Sequence, residues 1–160
     1  MPTVQVRRAA RGDLASIGRV ADAAHWAAYP GLLEPATISA LLHRDFSPGS
    51  LRRRTLEGRL IVAEEAGRVL GFADAVVEGD RIRLVTLAVD PEGGDPGTAG
   101  RLLEAVRARA QGLPVSADVL LGCLLLEGCL EAQGFVPGEI LNLNLFGQET
   151  VERRWWSVPA

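Results

Sequence analysis

The chain reads LAVDPEGGDPGTAGRLL from Leu87 to Leu103. The apolar residues that end at Val89 predict a buried β-strand, and the spacing of the apolar residues from Leu102 onward predicts a helix. A strand that enters a helix through a glycine-rich loop offers unpaired backbone N–H groups and the positive end of the helix dipole to an anion. This stretch therefore predicts a phosphate-binding site at the start of the helix.

Two common phosphate-binding loops do not fit this stretch. All 17 basic residues of the chain are arginine, so the lysine of a G-x-x-x-x-G-K-[ST] loop is missing. Gly94, Gly97 and Gly100 do not have the G-x-G-x-x-G spacing of a dinucleotide-binding loop. The loop therefore argues against nucleotide hydrolysis and against dinucleotide binding.

The stretch instead resembles the acyl-CoA diphosphate motif of the GNAT superfamily of N-acyltransferases. In that motif a strand ends in V-D-P and is followed by [QR]-x-x-G-x-[GA] and a helix; here residues 89–91 match V-D-P, and Gly97 and Ala99 match the two small positions. Residues 130–135, LEAQGF, are similar to a second family motif, Y-E-K-x-G-F. The two motifs occur in the family order, and the resemblance covers most of the chain.

Four positions depart from the family pattern. Gly94 stands where the family has Gln or Arg, Asp95 brings a negative charge to the diphosphate loop, and Pro96 lacks an N–H donor. Leu130 replaces the tyrosine that often protonates the departing thiolate in this family. These departures predict weaker diphosphate binding and the loss of the usual proton donor.

The resemblance implies an α/β fold with a mixed, mostly antiparallel twisted sheet of about seven strands, flanked by about four helices. It implies acetyl-CoA as the acyl donor and direct acetyl transfer to a primary amine in a ternary complex. The main chain of Leu87, Ala88 and Val89 would pair with the pantetheine arm as an added strand would. The diphosphate would be bound by Asp95, Gly97, Thr98, Ala99, Gly100 and Arg101.

A general base must remove the proton of the amine before attack, and a carboxylate is the usual choice. Asp74 and Glu78, on the strand that precedes the one ending at Val89, are the candidates, with Glu65 as a further one. Each of them also fits an ordinary strand position. No metal is expected, because the two histidines and two cysteines match no zinc pattern.

The whole chain, residues 1–160, is interpreted as one GNAT-like domain, since no repeat or long linker divides it. The predicted order of elements is β-α-α-β-β-β-α-β-α-β-β, with one βαβ crossover. Residues 47–49, Ser-Pro-Gly, are expected to end the second helix, and the next strand is expected from Arg59. This order predicts a mixed sheet with helices on both faces.

Composition narrows the classes of function. The net charge of −3 argues against bulk nucleic-acid binding, which needs a basic surface. No apolar run approaches the ~20 residues that span a bilayer, and no signal peptide is visible. A reduced cytoplasmic protein that is a monomer or a homodimer is expected, with acetyl-CoA and an unidentified amine as its partners.

Three functions remain open at this level. The first is an acetyl-CoA-dependent N-acetyltransferase. The second is a catalytically impaired GNAT-fold module that binds acyl-CoA or a partner without transfer, which the altered loop and Leu130 favour. The third is a structural α/β domain that binds no CoA.

Overall fold

The computed structural model of the protein describes residues 3–158. Seven strands form one mixed sheet, which five α-helices and a short 3₁₀ turn at Arg11–Asp13 accompany. No helix in this described part is both long and apolar enough to cross a membrane. The strands are β1 (Gln5–Arg8), β2 (Leu60–Glu65), β3 (Arg68–Glu78), β4 (Arg81–Val89), β5 (Val115–Leu120), β6 (Val136–Leu145) and β7 (Gln148–Trp156); the helices are α1 (Leu14–Ala28), α2 (Pro35–Asp45), α3 (Pro48–Leu56), α4 (Pro96–Arg109) and α5 (Leu124–Ala132).

The strands are ordered β1-β2-β3-β4-β5-β7-β6 across the sheet. All neighbours are antiparallel except β4 and β5, which are parallel and are joined through α4. A parallel pair requires such a crossover, and a helix is its usual form. The predicted mixed sheet with one βαβ crossover is therefore confirmed.

Both faces of the central strands are buried. In β2, Leu60 and Val62 pack against α1, whereas Ile61 and Ala63 belong to the core beneath α4. Side chains alternate between faces along a strand, so an unbroken apolar run is what a sheet covered on both sides requires. The α4 side of this core includes Leu102.

Helix α3 was not predicted, and it raises the number of α-helices to five. Ser47 is the residue that precedes its first turn, and the Ser47 hydroxyl accepts a hydrogen bond from the Ser50 N–H at 3.4 Å. Pro48 occupies the first helical position, where a proline costs no hydrogen bond. The Ser-Pro-Gly sequence thus follows α2, as expected, and also begins α3, a helix that the predicted order of elements lacks.

Strands β4 and β5 separate halfway along their length. Their pairing ends at Leu84 and Ala117. On the other side of β4, Ala75 of β3 pairs with Leu84 and Asp74 pairs with Thr86, so Val85 is an extra residue on β4. Such a β-bulge bends a strand and increases its twist. The strands part at the bulge, which leaves a gap between the end of β4 and the end of β5.

Candidate functional site

A cavity of about 700 Å³ occupies the gap between β4 and β5. Its walls include residues 83–91 from β4 onward and residues 117–120 of β5. Tyr29, just after α1, lines it from one face of the sheet, and Leu130 of α5 lines it from the other. The cavity therefore connects the two faces of the sheet, so that two substrates can approach one point from opposite sides.

The edge of β4 at this cavity presents free backbone groups. The N–H of Asp90 donates to the carbonyl of Leu70 on β3 at 2.7 Å. Backbone groups of successive residues point to opposite sides of a strand, so those of Val89 and Leu87 point away from β3 and into the gap. The main chain of Ala88 points back to β3, although Ala88 itself also lines the cavity. An extended ligand can therefore hydrogen-bond to β4 at Leu87 and Val89.

Asp90 holds the start of the loop in place. Its Oδ2 accepts hydrogen bonds from Arg19 of α1 at 2.8 Å and from Arg68 of β3 at 3.3 Å, and its Oδ1 accepts the Glu92 N–H at 3.0 Å. Burial by itself raises the pKa of Asp90, but these hydrogen bonds outweigh it and hold the pKa at about 2. Asp90 is therefore ionised at neutral pH and ties the loop to two elements of the fold.

Asp95 caps the first turn of α4. Its Oδ1 accepts the Thr98 N–H at 2.9 Å and the Thr98 hydroxyl at 3.2 Å, and the Asp95 N–H donates to the Thr98 Oγ1 at 3.3 Å. This reciprocal arrangement is a capping box. The backbone N–H groups of both residues and the Thr98 hydroxyl are thus bonded within the protein, and a carboxylate lies at the mouth of the helix.

The remaining residues of the predicted diphosphate loop lie close by. The Gly97 N–H has no hydrogen-bond partner within residues 3–158 and is exposed at the helix start. Ala99 is buried and lines the cavity, and Gly100 follows it in the first turns of α4. The Arg101 guanidinium donates to the Val4 carbonyl at 3.4 Å, towards the β1 edge of the sheet.

Gly94 leaves no room for a side chain. A Cβ at this position would lie 2.2 Å from Cγ1 of Val89 and 3.0 Å from the carbonyl oxygens of Asp90 and Leu70. The family's Gln or Arg could be accommodated here only if the loop moved. The glycine therefore lets the loop pack directly against Leu70 of β3 and Val89 of β4.

Asp74, the first candidate base, is fully buried and does not line the cavity. Its Oδ1 accepts from Arg59 at 3.0 Å, and its Oδ2 accepts from Arg59 at 3.0 Å and from Arg54 at 3.2 Å. Both arginines line the cavity. The geometry therefore gives Asp74 the role of holding two cations in place and offers no support for it as a base.

Glu78, the second candidate, is exposed at the end of β3 and does not line the cavity either. It accepts hydrogen bonds from Arg81 at 3.1 Å and Arg83 at 3.4 Å, and these two contacts lower its pKa. Its position likewise does not support a role in proton transfer at the gap.

Several polar side chains that line the cavity were not proposed as catalytic from the sequence. Glu152 of β7 and Tyr29 both line the cavity, and burial raises the pKa of each side chain. Strand alternation could have placed Glu152 on the face opposite the buried Trp155. Nothing in the sequence shows that this face of β7 borders a cavity.

The position of the missing tyrosine is apolar. Leu130 is buried and lines the cavity beside Cys129, and Cys123 is buried outside the lining. Burial raises the pKa of both thiols. Within residues 3–158, no group of three or more His, Cys, Asp or Glu side chains is placed to hold a metal.

Comparison with known proteins identifies this architecture. No family model and no curated protein sequence matches the chain. The PaiA N-acetyltransferase from Thermoplasma acidophilum, solved in complex with coenzyme A, is similar with a TM-score of 0.80 at 15% identity, over 94% of this chain and 98% of that one. A GCN5-related N-acetyltransferase from Rhodopseudomonas palustris gives 0.81 at 16% identity, over 98% and 96%.

The ribosomal-protein-S18-alanine N-acetyltransferase from Escherichia coli is similar with a TM-score of 0.72 at 18% identity, over 97% of this chain and 93% of that one. All three structures are matched almost from end to end at low identity, so what they share with this protein is the fold. One conclusion follows from the separation of β4 and β5, from the seven-stranded mixed sheet and from these structural matches. The chain has the fold of the GNAT superfamily of N-acetyltransferases.

Proposed function

We propose that the protein is an acetyl-CoA-dependent N-acetyltransferase, which transfers the acetyl group to a primary amine of a small molecule or peptide. The observation that carries the proposal is the cavity at the gap, where the backbone groups of Leu87 and Val89 have no strand partner. A pantetheine arm has amide groups that can pair with such an edge as another strand would. The similar Thermoplasma acidophilum enzyme was solved with coenzyme A, which supports the same ligand here.

The chain's own residues would act in two places. Leu87, Ala88 and Val89 would bind the pantetheine, and the Val89 N–H would polarise the thioester carbonyl. The start of α4 would bind the diphosphate, chiefly through the free Gly97 N–H and the helix dipole. The assignment of the diphosphate site to Asp95, Gly97, Thr98, Ala99, Gly100 and Arg101 stays a prediction.

The cytoplasmic location of the protein and the choice between monomer and homodimer also stay predictions.

A second function is favoured by the helix start and by α5. The Asp95 carboxylate lies where a diphosphate would bind, and Leu130 offers no proton to a leaving thiolate. These two features fit a module that binds acyl-CoA, or a partner, without transferring the acyl group. The enzyme and the acyl-CoA-binding module would both bind CoA, and only the enzyme would transfer the acyl group.

A thermal melting titration with acetyl-CoA, followed by thiol release across a panel of primary amines, separates them. Saturation at about 100 times Kd adds about 2.7 kcal/mol of stability, which raises the Tm of a chain of this size by about 5–10 °C. Sodium chloride at the same ionic strength is the control for general anion binding. A rise in Tm with thiol release supports the enzyme, and a rise without release supports the binding module. An unchanged Tm would contradict both the enzyme and a module that binds acyl-CoA.

A further inference from the structure

Glu152 lies in the middle of β7, opposite Leu120 of β5, and its side chain lines the cavity at the gap. Trp155, three residues further on, is buried in the core beneath α4. Because side chains alternate along a strand, Glu152 is on the other face, the one that α1 and Tyr29 cover. This is the face from which the cavity is open to a second substrate if acetyl-CoA is bound at the start of α4.

The Glu152 carboxylate is free to act, unlike the other carboxylates nearby. Asp118, on the same face of β5, is held by Arg154 through two hydrogen bonds of 2.8 and 3.1 Å. Asp74 is held by two arginines. Within residues 3–158, the Glu152 carboxylate forms no hydrogen bond and no ion pair. Both of its oxygens are therefore available to a ligand in the cavity.

The surroundings of Glu152 make it a stronger base than an exposed glutamate. Burial raises its pKa most, and the neighbouring Asp118 carboxylate raises it further, while Arg83 and Arg154 lower it. From α1 the cavity wall adds Tyr29, whose own pKa is raised by burial and, in smaller part, by the Glu152 charge. A carboxylate of raised pKa accepts a proton more readily from an amine.

We propose that Glu152 is the general base of the transfer, a proposal that rests on the function proposed above. The carboxylate takes a proton from the acceptor ammonium, and the freed nitrogen lone pair attacks the carbonyl carbon of the thioester. The C–N bond forms, and the C–S bond breaks with its electron pair on sulfur. The nitrogen releases its second proton to solvent, the thiolate takes a proton from solvent, and Glu152 returns its proton to solvent, so the products are the amide, free CoA and one proton.

The test compares the unaltered chain with Glu152→Gln and with Glu149→Gln, an exposed glutamate of the same strand that binds Asn144. Two probe amines are used with acetyl-CoA. Propylamine is almost fully protonated at neutral pH and needs a base, whereas hydroxylamine is already largely neutral. Glu152→Gln is expected to lower kcat/KM for propylamine at neutral pH by about 10²–10⁴-fold and to leave a rate that keeps rising with pH as more of the amine loses its proton. Transfer to hydroxylamine should change little, and Glu149→Gln should match the unaltered chain with both amines.

Melting curves with acetyl-CoA give the second readout, because Glu152→Gln should keep the ligand-induced rise in Tm. If Glu152→Gln acetylates propylamine as fast as the unaltered chain, the assignment is overturned while the enzyme function stands. Equal losses of kcat/KM with propylamine and hydroxylamine would also overturn the assignment of Glu152, since hydroxylamine does not need a base. If acetyl-CoA binds and neither amine is acetylated by the unaltered chain, the base assignment fails and CoA binding stands. An unchanged Tm with acetyl-CoA would reject the proposed function itself.

Discussion

At the scale of single residues, the loop before α4 combines two opposing demands. An aspartate is among the best N-cap residues, and Asp95 completes a capping box with Thr98. The same carboxylate places a negative charge where a diphosphate would use the helix dipole. The loop thus gains helix stability from a residue that opposes anion binding.

Removing this charge while keeping the cap is expected to tighten CoA binding. Asparagine caps a helix about as well as aspartate, so Asp95→Asn should leave the Tm of the free protein nearly unchanged. The Kd for CoA should fall by about two- to fivefold, as expected for one charge near a helix terminus. Isothermal titration at low ionic strength measures the effect.

Asp80→Asn, in the exposed turn between β3 and β4, is the matched control and should leave the Kd unchanged. A Kd for Asp95→Asn that equals or exceeds that of the unaltered chain would show that the diphosphate does not bind at the start of α4.

At the scale of elements, α3 is attached to the sheet by a buried charge cluster. Arg54 of α3 is 5% exposed and lies over the Phe46 ring as well as beside Asp74 of β3. Arg59, just before β2, binds the same carboxylate. Removing one member of such a buried cluster leaves uncompensated charge, which costs far more than the intact cluster contributes.

Asp74→Asn is therefore expected to lower the free energy of unfolding by about 3–5 kcal/mol. Urea denaturation monitored by circular dichroism measures the change, and Asp80→Asn again serves as the exposed control. Unfolding midpoints that coincide for the two variants would show that the cluster does not hold α3. A normal melting curve combined with a specific loss of turnover would restore Asp74 as a candidate base.

At the scale of the whole molecule, Asp90 connects α1, β3 and the loop that starts at the end of β4. The pKa of Asp90 is about 2 in the folded chain, below the ordinary value of 3.8. A group whose folded pKa is depressed stabilises the fold above its unfolded pKa, and this contribution is lost as the pH falls through the folded pKa. The affected range therefore runs from about pH 4 to about pH 2.

Between pH 5 and pH 2 the unaltered chain should lose about 2 kcal/mol more stability than Asp90→Asn. Urea denaturation at several pH values measures both curves. Parallel curves would show that Asp90 does not retain its arginine contacts in solution.

Much of the fold follows from local sequence patterns. The alternating and unbroken apolar stretches of β2 to β4 predicted these strands. Gly134, at φ 82°, follows α5 in the left-handed conformation expected for a glycine at the end of a helix. Helix α3 was missed because Pro48 and Gly49 indicate a break as readily as a helix start. Asp74 fitted the role of a base in the sequence because the strand pattern does not show that Arg54 and Arg59 bind its carboxylate.

The sequence by itself determined the βαβ unit at residues 81–120, the glycine-rich turn into α4 and the two-sided burial of the sheet. Each of these depends on residues that are neighbours in the chain and on the periodicity of their side chains. Only the tertiary structure decided that β4 and β5 part at Val85 and that, within residues 3–158, the Glu152 side chain faces the cavity without a hydrogen-bond partner. These features depend on strand register and on which side chains meet across the sheet, and long-range packing fixes both.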